Sequence, residues 1–270
     1  MPLAWIFRVV RVAALSLATL APASPAFGSA FSTNNSDIYN AANESGWAIE
    51  LVQQADVIFA TIYTYDANMN PIFYSATLFA VGTGPSGNTI WGGDLIVSNG
   101  PWFGGAFDES KVVRRKVGTM NYVPQDTTGG TASFTIDGVV VTKQISRVTL
   151  KLDNYAGVYQ GTYKIVASGC SNPSDNGPFY INAVFTVTQG TNALTVVTSE
   201  PDGNSCTYPG DYTQFGQFGD SLGSFTCTNG IKGNNRFLEM NVTPTDFRGR
   251  ISGTDNLGCT LTGSFAGIRQ

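Results

Sequence analysis

Between residues 47 and 81 apolar side chains recur at every second position, the two-residue period of extended chain. Trp47, Ile49 and Leu51 alternate with Ala48, Glu50 and Val52. The next segment, 57–65, places Val57, Phe59, Thr61, Tyr63 and Tyr65 on one side and Ile58, Ala60 and Ile62 on the other, so both faces are largely apolar. A third segment covers 72–81. Three consecutive strands with a doubly apolar middle member predict either a barrel packed again on its outer face or a sheet covered by a second layer.

The rest of the chain keeps this style, and no dozen residues repeat apolar positions at three and four as a helix would. Further strands are expected at 89–97, 112–123, 132–136 and 139–148, the last two joined by Asp137-Gly138, a strong hairpin signal. After a reset near 150–153, strands are expected at 155–166, 180–189, 193–198, 206–215, 223–228, 237–243, 247–253 and 259–268. Val52-Gln53-Gln54-Ala55 and Val187-Thr188-Gln189-Gly190 form a faint internal repeat. The fold class is therefore all-β, with two tandem antiparallel β-barrel or sandwich-like domains at 31–150 and 151–270. The first is rich in aromatic residues, and closure would remove exposed sheet edges.

Residues 1–30 read as a signal peptide: Arg8 and Arg11 precede a short apolar core at 12–21, and small residues end at Ala26 or Ala30. Ten apolar residues fall well short of the roughly twenty that a spanning helix needs, and no later stretch is long and apolar enough. The expected localisation is periplasmic or extracellular, with no transmembrane segment in the mature chain. Without the two arginines the basic count falls from 15 to 13 against 19 acids, a balance near −6 that argues against nucleic acid. The basic cluster Lys111, Arg114, Arg115 and Lys116 lies on an expected strand that splits it between faces. Four cysteines behind an export signal read as two disulfides, with three pairings open. Cys206–Cys227 would clip a hairpin and Cys170–Cys259 would tie an early strand to a late one. Cysteine spacing and the absence of histidine oppose a zinc site; no metal and no cofactor is expected.

At Tyr39, Glu44-Ser45-Gly46-Trp47, Gln54, Asp56, Phe59-Ala60-Thr61, Tyr65-Asp66, Pro71 and Tyr74 the chain resembles a group of secreted bacterial proteins of unassigned activity. Their motif runs Asn-Pro-x-Glu-Ser-Gly-Trp-Gly, Gln-Gly-Asp, Phe-Ala-Thr-Trp. Ala41-Ala42 replace Asn-Pro here, Ala48 and Ala55 replace glycines, Asn70 replaces a turn glycine, and Ile62 and Phe73 replace tryptophans. The segment 129–147 is also similar to that group. The resemblance implies export and an all-β fold. A weaker likeness is to calycin barrels, lipocalin-like and avidin-like, in which an aromatic residue of the first strand packs under an arginine of the last. That likeness pairs Trp47 with Arg147 and Tyr159 with Arg269 as structural residues.

Several motifs suggest chemistry, and each lacks a required partner. Gly219-Asp220-Ser221-Leu222-Gly223 matches a serine-esterase signature, but the serine needs a histidine base and the chain has none, so a hairpin turn is expected. The glycines at 82, 84 and 87 precede a strand, with no helix to hold a phosphate. Asp66, Asn68 and Asn70 open like a calcium loop, yet Pro71 and Thr77 occupy positions that require glycine and glutamate. Paired carboxylates, such as Glu44 with Asp94 or Asp56, are the one catalytic class left open, and Glu44 reads more simply as a turn residue bonding backbone amides. The expected function is an exported, non-enzymatic binding protein for an apolar small molecule, a glycan or another protein. Tyr63, Tyr65, Tyr74, Trp91 and Trp102 are the candidate ligand residues. The alternatives are a structural or surface-interaction protein without ligand and a carboxylate-dependent hydrolase.

Overall fold

The computed structural model describes residues 34–270, so the expected signal peptide lies outside the described residues. The chain forms two closed, eight-stranded, antiparallel barrels in sequence. The first is built from β1 (Asp37–Asn40), β2 (Ala48–Gln54), β3 (Val57–Tyr65), β4 (Pro71–Thr83), β5 (Thr89–Asn99), β6 (Val113–Pro124), β7 (Gly129–Ile136) and β8 (Val139–Arg147). Each strand pairs with the next, and β8 closes on β1 through Tyr39 opposite Arg147. The second follows the same meander with β9 (Gly157–Ser168), β10 (Gly177–Gln189), β11 (Ala193–Ser199), β12 (Ser205–Phe215), β13 (Phe218–Cys227), β14 (Lys232–Val242), β15 (Asp246–Asp255) and β16 (Thr260–Arg269). It closes through Tyr159 opposite Arg269. The strands of each barrel pair only within it; the closing seam of the first is the two pairs Tyr39–Arg147 and Asn40–Ser146, whereas that of the second runs from Thr260–Ser168 to Arg269–Tyr159.

The expected alternation appears as interior and exterior. Ile49, Leu51, Ile58, Ala60 and Ile62 point inward with Leu78, Leu95, Met120 and Ile145, and fill the first barrel. The second core is a network of rings, in which Tyr159, Phe247, Phe265, Phe237 and Tyr208 contact one another in succession at centroid separations of 4.8–5.4 Å. The expected cover over the second apolar face of β3 is not found among the described residues. Phe59, Tyr63, Phe73 and Phe79 are each about half exposed on the outer wall of β3 and β4. Eight strands already close around one layer of side chains, so only one face of each strand can be interior.

Two local readings are corrected. The four-residue β1 falls before the expected first strand, because its short run of mixed polarity carries no visible period. Gly219 to Gly223 lies within β13, with Asp220 and Ser221 buried, whereas the turn falls at Gly216-Gln217. Both expected disulfides form: Cys206 faces Cys227 across β12 and β13, and Cys170–Cys259 joins the loop after β9 to the start of β16.

One end of each barrel is locked by an arginine on a tyrosine. Arg147 lies 5.3 Å from the Tyr39 ring centre, and Arg269 lies 4.8 Å from that of Tyr159. The Tyr39 hydroxyl donates to the Asn35 carbonyl and the Tyr159 hydroxyl to the Tyr155 carbonyl, each at 2.9 Å and four residues back. Gln53 accepts from the Asn35 backbone N–H, as Gln189 does from that of Tyr155. The faint repeat thus marks a duplicated lock, with Gln53 rather than Gln54 equivalent to Gln189. The expected Trp47–Arg147 pair is corrected to Tyr39–Arg147. Trp47 sits at the opposite end of the barrel, where its indole N–H donates to Glu44 at 3.0 Å.

The locked end of the first barrel receives the β12–β13 turn of the second. Asp37 accepts from the Gln217 backbone N–H at 3.0 Å, and the Gln217 side chain donates to the Ser36 carbonyl. Arg147 also stands 4.8 Å from the Phe218 ring centre. In the connecting segment, Thr149 and Asp153 bond to Gly216 and Gln214.

Candidate functional site

The open end of the first barrel holds a cup of about 680 Å³. Its position follows from the register: β3, β4, β7 and β8 rise past the filled interior and carry Ile62, Ile72, Phe134, Ile136 and Val141 into the wall. The rim is charged. Glu44 accepts from Lys143 at 2.7 Å, and Asp137 forms a two-point pair with Arg115 at 2.5 and 2.9 Å. Asp66 accepts from the backbone N–H groups of Asn68 and Asn70, which closes the β3–β4 turn.

These contacts determine what the rim carboxylates can do. The Lys143 ammonium holds the Glu44 carboxyl below its ordinary pKa, Arg115 does the same for Asp137, and the Asn70 amide does so for Asp66. All three are charged at neutral pH and serve as acceptors or anions, which is the opposite of what a general acid requires. The backbone-amide role expected for Glu44 is corrected, since its oxygens serve Lys143 and Trp47. Asp94 is engaged elsewhere, with Lys116 at 2.7 Å.

Of the five aromatic candidates, the structure brings two to the cup. Tyr65 and Tyr74 line it, with Tyr65 3.8 Å from where a side-chain carbon on Gly46 would stand. Burial raises the Tyr74 phenol pKa, which keeps it a neutral donor. Tyr63 faces outward and donates to Glu50. Trp91 is buried near the locked end, paired across strands with Tyr122, and does not line the cup. Trp102 is exposed in the 100–112 loop, its ring 6.2 Å from that of Phe103. Trp47 also lines the cup. Sequence reading missed Lys143, Arg115 and Asp137 as rim residues. Lys143 meets Glu44 across 99 positions, and no local pattern reports such a contact.

The second barrel has a smaller mouth of about 360 Å³, lined by Ile165, Ile181, Phe225, Ile231 and Leu261, with both disulfides at its border. There the Tyr163 hydroxyl donates to Glu200. Among the described residues no group of three or more potential metal ligands converges, and no helix is long and apolar enough to cross a membrane.

No family model matches the chain, and no curated protein matches it. Three solved structures show weak likeness. A redesigned β barrel is 18% identical over 43% of this chain and 90% of its own, with a TM-score of 0.28. A second redesigned β barrel, bound to DFHBI, is 16% identical over 43% and 94%, with a TM-score of 0.26. A protein of unknown function of the DUF3598 family from Nostoc punctiforme is 8% identical over 88% and 94%, with a TM-score of 0.27. Scores this low carry no argument about the site. The class defined by the chain's own geometry is a tandem pair of eight-stranded antiparallel barrels, the second with two disulfides.

Proposed function

We propose that the chain is an exported, non-enzymatic binding protein of two β-barrel domains, 31–150 and 151–270, and that the first holds a small amphiphilic molecule in its open mouth. The observation that carries this reading is the cup itself. It has apolar walls, two tyrosines and two rim ion pairs, a lining that takes an apolar body and hydrogen-bonds a polar end. Two disulfides suit an oxidising compartment and support export.

A carboxylate-dependent hydrolase is the weaker alternative, because every rim carboxylate is held in its charged form. A ligand-free surface-interaction role draws on the outward rings of β3 and β4.

The test is to purify the exported chain, denature it, and search the released fraction by mass spectrometry. In parallel, single-chain amphiphiles are titrated calorimetrically into the native chain. Val141→Trp, which fills the cup from its wall, is expected to abolish the titration while the melting temperature stays within a few degrees. A titration unchanged in that variant, or none in the native chain, rules out the cup as the site.

A further inference from the structure

A second concave surface lies at the junction of the barrels, on the outer wall of the second, and its chemistry differs from that of the cup. The groove measures about 740 Å³. Its floor is set by register: Arg250 of β15 stands opposite Ser264 of β16, which stands opposite Lys164 of β9. Neighbouring strands are roughly 4.8 Å apart, so the two cations flank the hydroxyl about 10 Å from each other on one outward face. Arg248 extends the cationic row, Thr262 adds a hydroxyl, and Asn34 and Asn241 add amides.

One acid, Glu239, lines this groove, and a second, Asp246, stands 3.9 Å from Arg248 on the same strand. Glu239 occupies a bulge of β14 with a left-handed backbone, φ 51°, and is almost fully buried. Its carboxylate meets Arg250 at 3.5 Å. Three further groups act on it: Arg147 from β8 of the first barrel, Asp220 from β13, and through Asp220 the Arg236 guanidinium at 2.5 Å. A non-glycine residue in this conformation, at a bulge, is held there by its surroundings.

We propose that this groove binds a small anionic, hydroxyl-rich ligand of the acidic-sugar class, with Lys164, Arg248 and Arg250 taking the anion, the row of hydroxyls and amides taking the sugar, and Glu239 competing for Arg250. Guanidinium groups suit planar oxyanions, and a mixed row of cations, hydroxyls and amides is what a uronate presents partners for. An anion must displace the Glu239 charge from Arg250, so binding is linked to protonation of that carboxyl. Burial raises the Glu239 carboxyl to about 7, with Asp220 adding to the rise and Arg250 and Arg147 opposing it. Affinity should fall as pH rises through that value, approaching about tenfold per pH unit on the alkaline side.

Glucuronate, glucose and inorganic sulfate are titrated calorimetrically into the native chain at pH 5.5 and pH 8.5. The expected result is that glucuronate binds more tightly than sulfate, glucose does not bind, and glucuronate is held many-fold more weakly at pH 8.5. In Glu239→Gln the pH dependence should disappear, with affinity at pH 8.5 close to the native value at pH 5.5. In the Lys164→Ala, Arg248→Ala double variant binding should be lost, with thermal melting checking that both variants fold. Glucose binding as well as glucuronate, sulfate matching it, equal affinity at the two pH values, or binding that survives the double variant would each overturn the assignment. The cup is a separate site, so Val141→Trp should leave glucuronate binding unchanged.

Discussion

Arg147 is nearly inaccessible to water, and it donates to the Thr127 and Asn34 carbonyls and pairs with Asp37 at 3.1 Å. A buried cation is tolerated only when its donors are satisfied and its charge is matched. Replacing it with alanine strands Asp37 and those carbonyls, so Arg147→Ala is expected to cost about 3–5 kcal/mol in urea unfolding. Its counterpart Arg269 sits beside Gly157, where a side-chain carbon would come within 2.6 Å of the guanidinium. The position matching Asp37 is thus a glycine in the second barrel, and Arg269 bonds the Ala156 carbonyl and the Tyr159 hydroxyl instead. Glu239 yields a prediction with an unusual sign. Its carboxyl is raised from 4.5 to about 7, so between these values the folded chain holds a proton that the unfolded chain has lost. Stability should therefore decline as pH climbs through that window, and Glu239→Gln should flatten the decline and add on the order of 1–3 kcal/mol at pH 8. Chemical denaturation at a series of pH values checks both statements.

At the scale of elements, the two disulfides act on different stretches of the unfolded chain. Cys206–Cys227 closes a separation of 21 residues within one hairpin whose register already places the two strands together, and Cys170–Cys259 closes 89. Loop-closure entropy assigns about 3 kcal/mol to the first and about 4.5 to the second. Removing Cys170 and Cys259 together, as serines, should thus lower stability more than removing Cys206 and Cys227. Equilibrium unfolding of the two double variants gives the comparison. The strands were legible wherever alternation was long and clean, as in β2, β3 and β10. Legibility failed at β1, too short to show a period, and at the starts of β13 and β14, each of which begins five residues before the expected strand. At β13, Gly219-Asp220-Ser221 consists of residue types that favour turns, yet buried Asp220 accepts from Arg236 and the Glu239 amide, and pairing with β14 keeps the segment extended.

For the whole molecule, the joint between barrels rests on the β12–β13 turn. Gly216 has φ 59°, and a side-chain carbon there would lie 2.0 Å from the Asp37 carboxylate. Gly216→Val should push the turn off the first barrel without entering either core, and a single calorimetric melt should separate into two. The sequence alone determined the strand period, the all-β class and the division into two similar halves. It could do so because alternation, turn chemistry and cysteine count are local or additive properties of a chain. Only the tertiary structure decided which face became interior, that Tyr39 rather than Trp47 lies under Arg147, and that Tyr65 and Tyr74 share a cup with Lys143 while Trp91 is sealed away. Barrel closure brings together residues a hundred positions apart, and which pairs meet depends on the stagger of strands around the ring, a global quantity that no short window of sequence contains.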